Sequence, residues 1–185
     1  MQGAFSAREQ IREFRLADYD SVLELWLEAG LLFRPGDRKD EVAKKIKRDP
    51  ELFLVAERRG KILAAVMGAW DGRRGWIYHL AVTPKAQRRG LGTILVRELE
   101  RRMSRKGVVK VNAVVYRDNR ISRWFFKKVG YQLDERSLLF GKLLHDKDLL
   151  EGATTSLNLL NNIGATRPLC GPGRRWVLCS FSWAS

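Results

Sequence analysis

The chain has 185 residues, is 45% hydrophobic and carries a formal net charge of +14, which suits one domain with a sizeable core and favours anionic partners. Its longest apolar stretch, residues 62–70, is far shorter than the roughly 20 residues of a membrane-spanning helix, and residues 1–10 lack the apolar core of a secretion signal. We therefore expect a cytoplasmic protein with no membrane association. The charge alone leaves open nucleic acid, phosphorylated cofactors, acidic proteins and a merely solvated basic surface.

The start of the chain has the pattern of one strand followed by two helices. The stretch IREFRL (11–16) predicts a short strand. Apolar residues at helical spacing then predict a helix that Asp18 caps and Gly30 ends. A second helix is expected from near Asp37 to just before Pro50.

Three strand-like runs follow in succession. LFLVAE (52–57) and KILAAVMGAW (61–70) flank the turn sequence RRG, and GWIYHLAV (75–82) follows DGRRG. The pair Asp71 and Gly72 is a strong signal for a type I′ hairpin turn. These runs predict an antiparallel meander.

The sequence QRRGLG (87–92) stands between the last of these strands and a helix that runs to about Lys106, where Gly107 ends it. A further strand is predicted over VVKVNAVVY (108–116). A strand, a crossover helix and a strand over residues 76–116 indicate a right-handed parallel unit joined to the meander.

The pattern closes with one more helix and a strand pair. Asn119 is placed to cap a helix that ends at Gly130. The stretches YQLDER (131–136) and LLFGKLL (138–144) predict two closing strands.

The composition changes after about residue 145, so we divide the chain into a domain over residues 1–145 and a C-terminal extension over 146–185. The extension could add an edge strand, join a neighbouring chain, or be a cloning or read-through addition. It contains both cysteines, Cys170 and Cys179, and a cytoplasmic chain usually keeps such thiols reduced. Two cysteines without a nearby histidine do not form a zinc site, so no metal is expected.

The QRRGLG sequence has features of a pyrophosphate cradle. Unpaired N–H groups and the dipole at the start of a helix attract anions. Gly90 and Gly92 let the backbone approach a ligand closely. Arg88 and Arg89 supply positive charge, and Thr93 adds a hydroxyl donor. Taken alone, the sequence is equally compatible with a tight turn that carries solvated arginines, because it matches neither the dinucleotide fingerprint nor a Walker A loop.

The element order and two motifs together resemble the GNAT family of acyl-CoA N-acyltransferases over residues 11–144. VTPKAQRRGLG (82–92) is similar to the family's acetyl-CoA signature, and DNRISRWFFKKVGY (118–131) is similar to its second signature. The resemblance implies an α/β (mixed α+β) fold whose central, mostly antiparallel sheet splays at one parallel pair and is flanked by helices. It extends to bacterial and archaeal members similar to ribosomal-protein alanine acetyltransferases, and it implies acetyl-CoA as cosubstrate.

The resemblance also indicates where the coenzyme would bind. In the family, splayed strands offer unpaired backbone groups to the pantetheine arm, and the glycine-rich loop holds the pyrophosphate. Asn119 matches a coenzyme-contacting asparagine, a role compatible with helix capping. The implied cofactor-binding residues are Leu80, Ala81, Val82, Gln87, Arg88, Arg89, Gly90, Leu91, Gly92, Thr93, Asn119 and Phe126.

The chain departs from the family at two positions where proton-transfer residues are common. Phe126 stands where a tyrosine often acts as general acid, and Val114 stands where some N-terminal acetyltransferases have a carboxylate base. His79 and Tyr116 are the catalytic candidates that remain, and core packing is the alternative role for each. Direct attack by a neutral amine without a dedicated base is a further alternative.

The leading hypothesis is an acetyl-CoA-dependent N-acetyltransferase that acts by direct attack in a ternary complex. Its acceptor would be a primary amine, on a protein N-terminus or a small molecule, and the positive charge disfavours polycationic acceptors. A catalytically silent coenzyme A-binding module is the alternative, motivated by Phe126. A nucleic-acid-binding protein is a third hypothesis that no specific motif supports, and a homodimer stays open.

Overall fold

A five-stranded sheet forms the centre of the protein, with the strands side by side in chain order. A computed structural model describes residues 9–31, 33–142 and 144. In this part of the chain the strands are β1 (Gln10–Glu13), β2 (Phe53–Arg58), β3 (Lys61–Trp70), β4 (Gly75–Val82) and β5 (Val111–Ala113). The α-helices are α1 (Tyr19–Glu28), α2 (Lys39–Arg48), α3 (Leu91–Arg105) and α4 (Arg120–Lys128). Single-turn 3-10 helices occupy Leu16–Asp18, Pro50–Leu52 and Pro84–Ala86.

The strand pairing confirms the predicted mixed α/β architecture. The first four strands pair antiparallel, and β4 pairs with β5 in parallel. The parallel pairing extends only from Gly75, opposite Val111, to Ile77, opposite Ala113. Because β4 continues for five residues beyond Ile77 to Val82, the two strands part there and the sheet is splayed as expected.

The sheet is buried on both faces. On one face, α1 and α2 cover a core that includes Val22, Leu25, Trp26, Val42, Phe53, Val55, Ala65, Met67 and Ala81. On the other face, α3 and α4 cover a core that includes Leu54, Ala64, Val66, Ile77, Leu91, Leu95, Leu99, Met103 and Phe126. Burial on both faces explains why the central strands are continuous apolar runs rather than alternating sequences.

The type I′ turn lies in a different hairpin from the one predicted. Both Arg59 and Gly60 have positive φ angles, 52° and 76°, so the primed turn joins β2 to β3. The connection between β3 and β4 has four residues, and Gly72 is the only one of these four with a positive φ angle. The Asp71 carboxylate accepts the backbone N–H of Arg74 at 2.6 Å and so closes a longer loop than the prediction assumed.

Asp18 precedes α1 as predicted but does not cap it with its side chain. Its carboxylate accepts the backbone N–H of Arg15 at 2.7 Å and forms an ion pair with Arg12, also at 2.7 Å. Arg12 in turn lies 2.6 Å from Glu57 on β2. The hydrogen bond from Arg12 lowers the pKa of Asp18, so this carboxylate stays ionised and ties the edge of the sheet to the start of α1.

The predicted closing strand pair is absent, since no strand is formed over residues 131–142. The strand over 108–116 is also shorter than expected, because only Val111–Ala113 pairs with β4. The apolar side chains of the closing segment are exposed, with Phe140 at 88%. Apolar side chains stabilise a strand when they pack on a half-buried surface, and these side chains are exposed instead.

The predicted extension over 146–185, with Cys170 and Cys179, lies outside the described residues, so the division at residue 145 stays a prediction. None of the helices in the described part of the chain is long and apolar enough to cross a membrane.

The packing of α3 on the sheet makes Gly68 a sensitive position. A Cβ atom there would lie 2.8 Å from Leu99 Cδ2 and from Met103 Cε, so these two buried side chains would have to shift. We expect Gly68→Ala to lower the free energy of unfolding by about 1–3 kcal/mol in urea denaturation. Gly141→Ala is the matched control, because nothing lies within 4 Å of its Cβ position, and its effect should stay within about 0.5 kcal/mol. Equal stability of the two variants would contradict the close contact between α3 and β3.

Candidate functional site

The end of β4 provides an open strand edge. Leu80, Ala81 and Val82 pair with β3 on one side. On the other side, pairing with β5 ends at Ile77, so within the described residues this edge has no β5 partner. The Val82 carbonyl accepts a hydrogen bond from Gln87 Nε2 at 3.0 Å, which holds the following loop against the strand end. An extended ligand could bond to this edge as an added strand does.

The loop before α3 contains two residues in the left-handed backbone region. Gly90 has a φ of 85° and Arg88 a φ of 61°. Glycine adopts this conformation without cost, whereas a non-glycine residue is strained there by about 1 kcal/mol. Such strain is concentrated at functional sites, so the conformation of Arg88 indicates that this loop belongs to a binding site.

The loop leads into the free N–H groups at the start of α3. Gly90 occupies the N-cap position, and no side chain caps the helix. The N–H groups of the first turn, which includes Leu91, Gly92 and Thr93, therefore have no intrahelical acceptor. Arg88 and Arg89 are exposed beside them, and within the described residues neither forms an ion pair. Free donors, the helix dipole and two cations together can hold a pyrophosphate.

The start of α3 lies in van der Waals contact with α4. A Cβ on Gly92 would lie 3.4 Å from the ring of Phe125. The predicted cap of α4 is confirmed, because Asn119 Oδ1 accepts the backbone N–H of Ser122 at 2.9 Å. Phe126 is 8% exposed and packs edge-on against Phe125 and Tyr131. Coenzyme contacts by Asn119 and Phe126 stay predictions.

His79 contacts a buried carboxylate that the sequence did not reveal. Its Nε2 lies 3.1 Å from both carboxylate oxygens of Asp37, a residue 42 positions earlier in the chain. The His79 and Trp26 rings also pack together at an interplanar angle of 62°, with 4.6 Å between ring centres. His79 therefore faces the α1 side of the sheet, one position before the open edge of β4.

Asp37 was expected near the start of the second helix, but α2 begins at Lys39 and Asp37 lies in the preceding loop. Asp37 is 4% exposed. Its Oδ2 accepts the backbone N–H of Arg34 at 2.8 Å, and its carbonyl accepts the hydroxyl of Tyr19 at 2.9 Å. Burial and nearby acidic groups, Asp37 foremost, raise the pKa of Tyr19 to about 12, so this hydroxyl remains a donor at neutral pH.

The same loop contacts Tyr116, the second catalytic candidate. The Arg34 guanidinium lies 5.0 Å from the centre of the Tyr116 ring, in a cation–π arrangement. Tyr116 is 57% exposed and follows β5, on the far side of the splay. The loop over 33–38 thus links His79 and Tyr116, and it brings a cation to the mouth between β4 and β5.

In the part of the chain that the structure describes, no group of three or more His, Cys, Asp and Glu side chains could hold a metal ion. Independence from metals stays a prediction.

Comparison with known proteins decides the family. The family model described as "Acetyltransferase (GNAT) family" matches residues 19–131. The chain belongs to the GNAT family. The splayed sheet and the helix-opening loop are therefore those of a GNAT N-acetyltransferase that uses acetyl-CoA, and the predicted fold and enzyme class are confirmed.

Bacterial relatives and solved structures support this membership. Acetyltransferase SG1711 of Sodalis glossinidius is 36% identical over 140 residues, which cover 75% of this chain and 99% of that protein. The PaiA N-acetyltransferase from Thermoplasma acidophilum, solved in complex with coenzyme A, superposes with a TM-score of 0.64 at 20% identity, covering 70% of this chain and 93% of that one. Ard1 from Thermoplasma volcanium gives a TM-score of 0.62 at 22% identity, over 68% and 84%. These two structures share the fold.

Replacing Arg88 by glycine should separate stability from coenzyme affinity. Arg88→Gly removes left-handed strain and should raise the free energy of unfolding by up to about 1 kcal/mol. It also removes a cation from the loop, so we expect acetyl-CoA to bind about tenfold more weakly in calorimetric titration.

Arg59→Gly is the matched control, because Arg59 has a similar φ of 52° in the distant hairpin between β2 and β3. It should be stabilised to a similar degree and bind acetyl-CoA with unchanged affinity. Wild-type affinity in Arg88→Gly would show that this arginine does not contact the coenzyme.

Proposed function

We propose that this N-acetyltransferase acetylates a primary amine on a neutral or acidic acceptor, with a protein N-terminus as the leading candidate, and that His79 is the general base. The observation that carries the proposal is the pairing of His79 with buried Asp37 one residue before the open edge of β4. An imidazole oriented by a carboxylate is a common arrangement for removing a proton from a nucleophile.

The residues present fit acetyl-CoA. The open edge at Leu80, Ala81 and Val82 can bond the amide groups of an extended pantetheine arm. The free N–H groups at the start of α3, with the side chains of Arg88 and Arg89, suit the pyrophosphate. Acetyl-CoA supplies an acetyl thioester, whose carbonyl carbon forms the new bond to nitrogen while the bond to sulfur breaks.

The side chains of the splay would manage the protons of this exchange. His79 takes the proton that the amine nitrogen loses on forming its bond to the acetyl carbon. A backbone N–H of the β4 edge stabilises the negative charge that develops on the carbonyl oxygen. Tyr116 borders the splay and is exposed, so it can supply a proton to the departing sulfur directly or through water. Phe126 cannot do so, because its ring has no acidic hydrogen and is buried.

Positive charge around the mouth favours an anionic acceptor. Arg34 holds its guanidinium against Tyr116 at the splay, and the whole chain carries a net charge of +14. A polyamine would be repelled on approach, whereas a peptide with an acidic residue after its N-terminus would be attracted. The resemblance to enzymes that acetylate protein N-termini supports the same acceptor class.

An acceptor panel tests this preference. We expect thiol release from acetyl-CoA to be faster with acidic N-terminal peptides than with matched lysine-containing peptides, by about tenfold in kcat/KM at low salt. The difference should shrink as ionic strength rises, because salt screens exposed charges. Highest activity with spermidine or another polyamine would contradict the proposed acceptor class.

His79→Gln tests the general base. A base of this kind contributes about 100-fold to 10,000-fold, so kcat should fall by at least about 100-fold while acetyl-CoA affinity is retained. In His79→Gly, added imidazole should restore part of the activity, which a purely structural role of His79 would not allow. Wild-type kcat in His79→Gln would remove His79 from the mechanism.

A further inference from the structure

The carboxylate of Asp37 determines which nitrogen of His79 carries a proton. Both Asp37 oxygens lie 3.1 Å from Nε2 of His79. An ionised carboxylate only accepts hydrogen bonds, so this contact favours a proton on Nε2. In a neutral imidazole the other nitrogen, Nδ1, then carries a free lone pair and can accept a proton.

The fold holds this carboxylate in place from several directions. The backbone N–H of Arg34 donates to Asp37 Oδ2 at 2.8 Å, and the Tyr19 hydroxyl donates to the Asp37 carbonyl at 2.9 Å. Trp26 packs against the His79 ring at an interplanar angle of 62° and limits its rotation. The orientation of the imidazole is thus set by α1 and the following loop together.

The hydrogen bond that closes the loop over 33–38 does not by itself require a charged residue at position 37. One oxygen satisfies the Arg34 N–H, and an asparagine carbonyl could do the same. Within the described residues, the other oxygen of Asp37 has only His79 as a polar contact. Because burying a carboxylate is costly unless it is well paired, the charge is best explained by its contact with His79.

We propose that Asp37 is the positioning residue that fixes His79 as the Nε2–H tautomer, so that Nδ1 is the atom that takes the proton from the acceptor amine. This inference rests on the proposed role of His79 as base. It adds a second residue, from a different element, that the sequence pattern did not single out.

Asp37→Asn should reverse the tautomer. The asparagine carbonyl would accept the Arg34 N–H, which turns the amide NH₂ toward His79. That group donates to Nε2, so the imidazole proton moves to Nδ1 and the base is blocked. The change preserves size and the loop hydrogen bond, which favours a folded variant.

Nitrogen-15 NMR of histidine-labelled full-length protein reads the tautomer directly. The chain contains two histidines, His79 and His145, so His145→Gln leaves one signal pair to assign. We expect Nε2–H in the wild type at neutral pH and Nδ1–H in Asp37→Asn. The Nδ1–H tautomer in the wild type would overturn the proposal without need of any variant, and so would an unchanged tautomer in Asp37→Asn.

Kinetics provide the second readout. Asp37→Asn should lower kcat by about 10-fold to 100-fold, with acetyl-CoA affinity and melting temperature near wild type. Asp37→Asn combined with His79→Gln should lose little more than His79→Gln alone, because the two residues act as one unit. Asp20→Asn on α1 is the matched control and should keep wild-type kcat, since Asp20 is exposed and forms its ion pair with Lys39, at 3.5 Å.

The outcomes distinguish this inference from the proposed function. Loss of kcat in His79→Gln together with wild-type kcat in Asp37→Asn would overturn the role of Asp37 and leave the base in place. Wild-type kcat in His79→Gln would overturn the proposed base and this inference with it. If Asp37→Asn proves unstable, Tyr19→Phe removes only the hydroxyl that holds the Asp37 carbonyl, and it should give a smaller loss of kcat with the Nε2–H tautomer retained, because the carboxylate is still present.

Discussion

The divergence of β4 from β5 after Ile77 is the constraint on which the site depends. At this point β4 also contains a bulge. Val66 of β3 lies opposite Leu80 and Gly68 lies opposite Ile77, so β4 has one residue more than β3 between these two pairs. The extra residue breaks the two-residue alternation, so Ile77 and Leu80 both pack on the α3 side while His79 faces α1. One irregularity in one strand therefore accompanies both the open edge and the orientation of the candidate base.

Local pairing decides where the large positive charge can act. Arg12 is held by Asp18 and Glu57, and Arg102 is held by Glu98 and Glu13, so these cations are largely neutralised by neighbours. These pairs remove charge from the long-range field of the protein. The arginines of the loop before α3 have no such partners among the described residues. The +14 charge is thus compatible with an anionic cosubstrate and does not require nucleic acid.

Most of the fold could be predicted from the sequence, because its signals are local. The runs over 53–58, 61–70 and 75–82 are long, apolar and bounded by turn residues, and each forms a strand within one residue of its predicted limits. The I′ turn was misplaced, because an Asp–Gly pair favours positive φ but hairpin length decides where it is used. The contact between Asp37 and His79 spans 42 positions and has no periodic signature, so only the folded chain reveals it.

Two energetic costs lie on either side of the same splay. Asp37 is a buried carboxylate, and Arg88 is a non-glycine residue in the left-handed region. Arg59 has the same backbone strain, but there the two-residue hairpin demands it. Neither a hairpin nor a core requires the charge at position 37, and the loop before α3 could contain glycine at position 88 without strain. Energetically costly conformations and buried charges occur most often where function requires them. Asp37 and Arg88 both carry such a cost beside one open strand edge. This supports a site that binds the cosubstrate on the α3 side and transfers the proton on the α1 side.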